Sequence, residues 1–355
     1  MNRFSFLSTP AVKRGLLAVA FVAGTSLSSY AVNVDSSSHY VALGKQEQEA
    51  KRYLAAWKHF EAAAKHNPAN ADAQLGIAAA CRKMNRNANA IKALEEAVKL
   101  RPNDNATLRQ LIEMQFDYGQ WATTIALGKK LFQRNPEEKG LAYMMGKSYY
   151  HQQDYANALP ALKEAVKEDG KNAETQYLLG RIYVMMSNYK PAVPHYEKSL
   201  QLDSTTQPTR YYEYAQVLAM ADKFDESIKW FEMALSKGFK ARDDFYMNYA
   251  YTLADGKKTE QALEVFRKML VRRPQDIALL QAMADVCYHS GRYMDAVKHW
   301  DNVLAIKKED PRTLYHIGLA YIKMGKDVDG KKLCDQAIAL EPALGVLRHE
   351  KSMSF

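Results

Sequence analysis

Ala56, Ala90, Ala158 and Ala192 fall on a grid of 34 residues, and Ala262 and Ala296 fall on the same grid displaced by two. Other residue types keep step with them. Proline stands twelve residues after the alanine position at Pro68, Pro102, Pro136, Pro274 and Pro342. Aromatic rings stand three residues before it at Tyr53, Trp121, Tyr155, Tyr189, Phe224 and Tyr293. A small residue stands twelve before it at Gly44, Ala78, Gly146, Gly180, Ala215, Ala250, Ala284 and Gly318. A repeat of this length is one supersecondary unit that cannot bury its apolar faces alone, so its core comes from stacking on neighbours.

The small residue and the alanine let two antiparallel helices approach closely, the aromatic wedges between them, and proline ends the second helix. The stretch "MGKSYYHQQDYANALPALKEAVKEDG", beginning at Met145, places Gly146, Tyr149, Tyr155, Ala158, Leu162 and Ala165 in one such unit. This pattern resembles the tetratricopeptide repeat (TPR). Nine units fit: 37–70, 71–104, 105–138, 139–172, 173–206, 208–241, 243–276, 277–310 and 311–344. The resemblance implies an all-α, right-handed superhelical solenoid of helix-turn-helix repeats whose first helices line a concave face. Residues 32–36 would be a linker and 345–355 a tail, a short cap or a docking edge for a partner or second copy. Repeat three departs, with Ile112 for the small residue and Thr124, Gly128 and Leu131 in its second helix, which predicts irregular packing. Extra residues near "STTQPT" and "GFKARDD" predict junctions where the stack changes pitch or flexes. Pro160 and Pro194 fall near the start of second helices, where a missing N–H is expected to matter little.

The first 31 residues have a different character. Arg3, Lys13 and Arg14 precede an apolar run of about ten residues, Gly15 to Gly24, and Ser29-Tyr30-Ala31 ends the segment. That order reads as an export signal cleaved after Ala31, and the run is too short to span a bilayer, which takes about 20 residues. Its removal takes away three basic and no acidic residues, lowering the formal charge from +9 to +6. The remaining basic residues are dispersed, which argues against nucleic-acid binding. Cys81, Cys287 and Cys334 are odd in number, far apart and at inward repeat positions, so they read as small buried hydrophobes.

Positions 2, 5, 9 and 12 of each unit share one stripe of the first helix. In the TPR family that stripe faces the groove. Position 5 carries Arg109, Tyr143, Tyr177, Tyr212, Met247 and Tyr315. Position 9 carries Lys147, Arg181, Gln216 and Tyr251, and position 12 carries Phe116, Tyr150 and Tyr288. Tyrosine offers large area, few rotors and a polar tip, and neighbouring cations can lie on its face. These residues form the candidate partner-binding groove. The same rings would instead bury against one another if successive first helices pack tightly. Family members that clamp a C-terminal carboxylate pair Lys at position 5 with Asn at position 9, and no unit here has both.

Catalytic and metal-site spacings are missing. There is no H-E-x-x-H, G-x-S-x-G or CxxC, the nine histidines are scattered singly, and Gly146-Lys147-Ser148 lacks the glycine five residues upstream that a phosphate loop requires (Leu141 stands there). The sequence therefore predicts a protein that is not an enzyme and holds no cofactor or metal. The reading it supports is an exported, periplasmic scaffold of the bacterial cell envelope that binds a partner's peptide segment. A glycan-binding component of polysaccharide export or cell-wall assembly is the alternative, because stacked tyrosines also lie against sugar rings.

Overall fold

A computed structural model of the chain describes residues 26–348, with side chains from 36 to 346. The expected export signal lies outside the described residues except for 26–31, which belong to the first helix, and so does the tail beyond 348. The described residues form eighteen α-helices, one closing 3-10 turn and no strand. The fold is all-α and built of tandem helical hairpins.

The chain divides into two compact units, one ending at Met144 and the other starting at Met145. The first contains α1 (Ser26–Glu49), α2 (Tyr53–His66), α3 (Ala71–Lys83), α4 (Asn87–Leu100), α5 (Asn105–Asp117), α6 (Trp121–Arg134) and the start of α7 (Leu141–His151). The second contains the rest of α7, α8 (Tyr155–Glu168), α9 (Ala173–Met185), α10 (Tyr189–Leu202), α11 (Pro208–Met220), α12 (Phe224–Ser236), α13 (Asp243–Asp255), α14 (Thr259–Arg272), α15 (Ile277–His289), α16 (Tyr293–Ile306), α17 (Pro311–Lys323) and α18 (Asp327–Leu340).

Every hairpin but the last, where Gly318 faces Cys334, closes on a small-against-large pair sixteen residues apart. A Cβ on Gly44 would lie 2.6 Å from the Phe60 ring, one on Gly146 2.7 Å from Leu162, and one on Gly180 2.6 Å from Tyr196. Where the small residue is alanine, the partner position carries Leu94, Phe231, Phe266 or Trp300, all buried. In the third hairpin the sizes are exchanged: Ile112 of α5 is fully buried and the buried partner position in α6 is Gly128. The irregular packing predicted there is thus a swap of bulk between the two helices, and the summed volume is kept. Thr124, at the alanine position, is also fully buried and donates its hydroxyl to the Gln120 carbonyl at 2.9 Å.

The second helices run continuously through Pro160 and Pro194. Both prolines sit at the sixth helical position, past the four N–H groups that lack partners anyway, so each forgoes one backbone bond, contrary to the sequence expectation. The "GFKARDD" junction is likewise not loose. Phe239, standing where other repeats carry proline, lies 4.9 Å from the Tyr212 ring and 5.4 Å from that of Phe245.

Five first helices begin on polar caps, whereas α11 and α13 begin at Gln207 and Arg242 with no side-chain cap. Asn70, Asp104, Asn172, Asp276 and Asp310 each accept a backbone N–H from the first turn that follows. Asp310 is buried and also accepts the Thr313 hydroxyl at 2.7 Å and the Lys307 ammonium. Burial alone would raise its pKa, but the Lys307 and Thr313 bonds outweigh it and hold the carboxyl below the usual value. Asp310→Ala is expected to cost about 1–2 kcal/mol at neutral pH. A depressed folded-state pKa gives stability that is present above the unfolded value and lost as pH falls through the folded one. Urea titrations should therefore show the parent's advantage over the variant shrinking below about pH 4.

The described chain ends with Pro342–Arg348, whose Leu344 packs on Tyr315, Cys334 and Ala337. All three cysteines are free thiols and buried, as their positions predicted. No helix among the described residues is long and apolar enough to cross a membrane.

Candidate functional site

The densest polar and aromatic arrangement on the predicted stripe lies in the second unit, where α7, α9 and α11 follow one another. Tyr150, Lys147, Tyr177 and Arg181 are all partly exposed there. The Arg181 guanidinium sits 5.8 Å from the Tyr150 ring centroid and 5.7 Å from that of Tyr177, so the two tyrosines flank it. It also donates to the Tyr177 hydroxyl at 3.3 Å. That hydroxyl donates to Glu213 at 2.7 Å. Burial, and then the bond to Glu213, push the Tyr177 hydroxyl up to about 12, so it stays protonated at neutral pH.

Three residues that the sequence reading did not select complete the cluster. Arg210 lies 4.0 Å over the Tyr177 ring and donates to Glu174 at 2.5 Å. Lys147 stands 3.8 Å from the same Glu174 carboxylate. Glu213 takes the tyrosine bond. The Tyr177–Glu213 and Glu174–Arg210 contacts join residues 36 apart: the extra residue before α11 lengthens the repeat to 35, and each pair is offset by one further position. A comparison at that spacing across the insertion, rather than at 34, would have found them. Among the five charged side chains the cations Lys147, Arg181 and Arg210 outnumber Glu174 and Glu213 by one. Partial burial keeps such charges less screened than fully exposed ones.

The rest of the stripe behaves differently. Tyr212 and Tyr315 are 8% and 4% exposed, so they belong to the core and not to a groove. Tyr212 is enclosed by Phe231, Phe239 and Phe245, and its hydroxyl accepts from Asn248 at 2.9 Å and from Gln216 at 3.2 Å, which also commits Gln216 to packing. Tyr315 lies under Leu344. Met247 packs partly buried against the core around α14 and α15. Tyr251 is 40% exposed and meets Phe266 edge-on, and Tyr288 lies edge-on to Tyr293. In the first unit, Tyr143 and Phe116 form an edge-to-face pair at 5.9 Å. Arg109 donates to Glu113 at 2.8 Å and to the Lys139 carbonyl at 2.7 Å, so it ties α5 to the turn before α7.

Among the described residues no group of three or more His, Cys, Asp and Glu is placed to hold a metal ion. The arrangement can bind through ring faces and a positive surplus.

Successive helical hairpins, all but the last closed by a small-large pair, define a tandem helical-repeat protein. Three family models match parts of the chain: "Tetratricopeptide repeat" over residues 48–114, "Anaphase-promoting complex, cyclosome, subunit 3" over 117–199, and "TPR repeat" over 284–325. The chain is a tetratricopeptide-repeat protein. No curated protein matches it. Similar solved structures include MamA, residues 41 to the end, from Desulfovibrio magneticus RS-1, with 17% identity, TM-score 0.42 and coverage of 48% of this chain and 97% of that one. YrrB, described as a TPR protein with an unusual peptide-binding site, matches at 19% identity and TM-score 0.38, covering 53% and 97%. A tetratricopeptide repeat protein from Parabacteroides merdae ATCC 43184 matches at 15% and TM-score 0.42, covering 70% and 98%.

Proposed function

We propose that this chain is a non-enzymatic scaffold of the bacterial cell envelope that holds an extended segment of a partner protein on the first-helix face of α7, α9 and α11. The observation that carries the reading is the half-buried Tyr150–Arg181–Tyr177 stack with its surplus positive charge. Rings there present large rigid area, and the surplus charge favours a segment bearing carboxylates. The repeat class supports it, since TPR folds are in general protein-interaction scaffolds and not catalysts. Export rests on the N-terminal signal pattern, and N-terminal sequencing of the chain recovered from the periplasm should begin at Val32.

Two double substitutions test the binding reading, each with helical circular dichroism as the folding control. Lys147→Gln with Arg181→Gln should lower recovery of envelope partners at least tenfold, the loss expected when about 1.4 kcal/mol is removed. Unchanged recovery would contradict the reading. Tyr150→Ala with Tyr177→Ala should do the same. Loss with the tyrosine pair alone, and indifference to the charge pair, would favour the glycan alternative.

A further inference from the structure

The first unit carries an open cleft of about 660 Å³ bounded by α3, α4 and α5. Its origin is legible in the repeat. Three other hairpins seat an aromatic pair at the turn between their helices: Phe116 with Trp121 at 5.8 Å, Tyr150 with Tyr155 at 6.0 Å, and Tyr288 with Tyr293 at 5.4 Å. The equivalent residues of the second hairpin are Arg82 and Asn87, and both line the cleft. Neither supplies a ring to the cleft. Its floor is apolar, with Ala90, Leu94 and Met114 all buried.

The rim has a sign. Arg82 and Lys83 stand exposed on one wall and Asp117 on the other, and none of the three is in an ion pair found among the described residues. Tyr118, 52% exposed, completes the edge. An open cleft with an apolar floor beside two cations and one carboxylate has room for an aromatic side chain together with its acidic neighbours.

We propose that this cleft is a second peptide subsite, which receives one aromatic side chain of an extended partner segment while flanking acidic side chains meet Arg82 and Lys83. The incoming ring takes the place of the one the hairpin lacks. This inference rests on the reading of the chain as a peptide-binding scaffold but uses none of the residues of the α7–α9–α11 site.

Calorimetric titration of the full chain with the capped peptide acetyl-Ser-Asp-Trp-Glu-Ser-amide tests it. The controls are the same peptide with Asn and Gln for the acids, and with Ala for Trp. The acidic tryptophan peptide should bind at least tenfold more tightly than either control. Asn87→Tyr, which supplies the missing ring, should weaken that binding at least tenfold while raising the unfolding midpoint by about 1–2 °C. Arg82→Ala with Lys83→Ala, both exposed, should erase the preference for the acidic peptide and decides the matter if Asn87→Tyr does not fold. Equal affinity for all three peptides, no binding, or unaltered affinity in either variant would overturn the proposal. The two readings fail separately: peptide binding lost in Arg82→Ala with Lys83→Ala but kept in Lys147→Gln with Arg181→Gln belongs to this cleft, and the reverse pattern belongs to the α7–α9–α11 site and overturns this proposal.

Discussion

Phe245→Ala should destabilise the second unit by about 3–5 kcal/mol, the range for truncating a fully buried phenylalanine. Phe245 is 0% exposed, and its ring lies 5.1 Å from Tyr212, 5.2 Å from Phe231 and 5.4 Å from Phe239. Those four rings fill the junction between α11–α12 and α13, where an extra residue would otherwise leave the hairpins poorly joined. Removing the central ring leaves a cavity whose walls are themselves large rings with little freedom to collapse. Because repeat proteins transmit stability mainly between neighbours, the damage should stay local. Hydrogen exchange is expected to show lost protection in α11 to α14 and unchanged protection in α2 to α4. Phe245→Leu, which keeps most of the volume, should cost only about 1.5 kcal/mol.

Gly318→Ala should cost about 3 kcal/mol although it adds a single methyl group. A Cβ at that position would lie 2.6 Å from the Cys334 sulfur, 2.7 Å from the Gly330 carbonyl oxygen and 3.1 Å from the Cys334 nitrogen. Two of those three atoms are backbone, so no side-chain rotation relieves the overlap and α17 must move away from α18. The gain from placing alanine in a helix interior is about 1 kcal/mol and does not offset it. Gly44→Ala provides the contrast. Its three nearest atoms all belong to the Phe60 side chain, a buried ring that Gly76 also contacts, so the strain should fall on the packing of α1 to α3 instead of on backbone overlap. Urea denaturation of the two variants measures the difference, and exchange in α17 and α18 should rise only for Gly318→Ala.

The hairpins were legible in the sequence because their key contacts are local. Gly146 and Leu162, or Gly180 and Tyr196, meet sixteen residues apart within one unit, so the spacing alone announces them. What the sequence hid depends on neighbouring units. Tyr212 and Tyr315 share a stripe position with Tyr177, yet one is enclosed by Phe239 and Phe245 and the other by Leu344, none of which the stripe contains. Arg210 and Glu213 escaped notice because they stand one position off the stripe, 36 residues from Glu174 and Tyr177 across a repeat that an insertion had lengthened only to 35. The exchange of Ile112 and Gly128 looked like a defect when each residue was judged alone, and it is a match when the two are taken together. The cleft beside Asn87 is the opposite case: a missing aromatic at one repeat position is readable, but only the structure shows that no neighbour fills the space.

Site-specific photocrosslinking in cells tests the binding face most directly. A benzophenone amino acid at Tyr150 of the intact chain should link it to one or a few partners at defined peptide segments, while the same group at Lys198, exposed on α10, should link it to none of them. Equal capture of those partners from both positions, or capture only from Lys198, would show that the guest does not lie on the first-helix face.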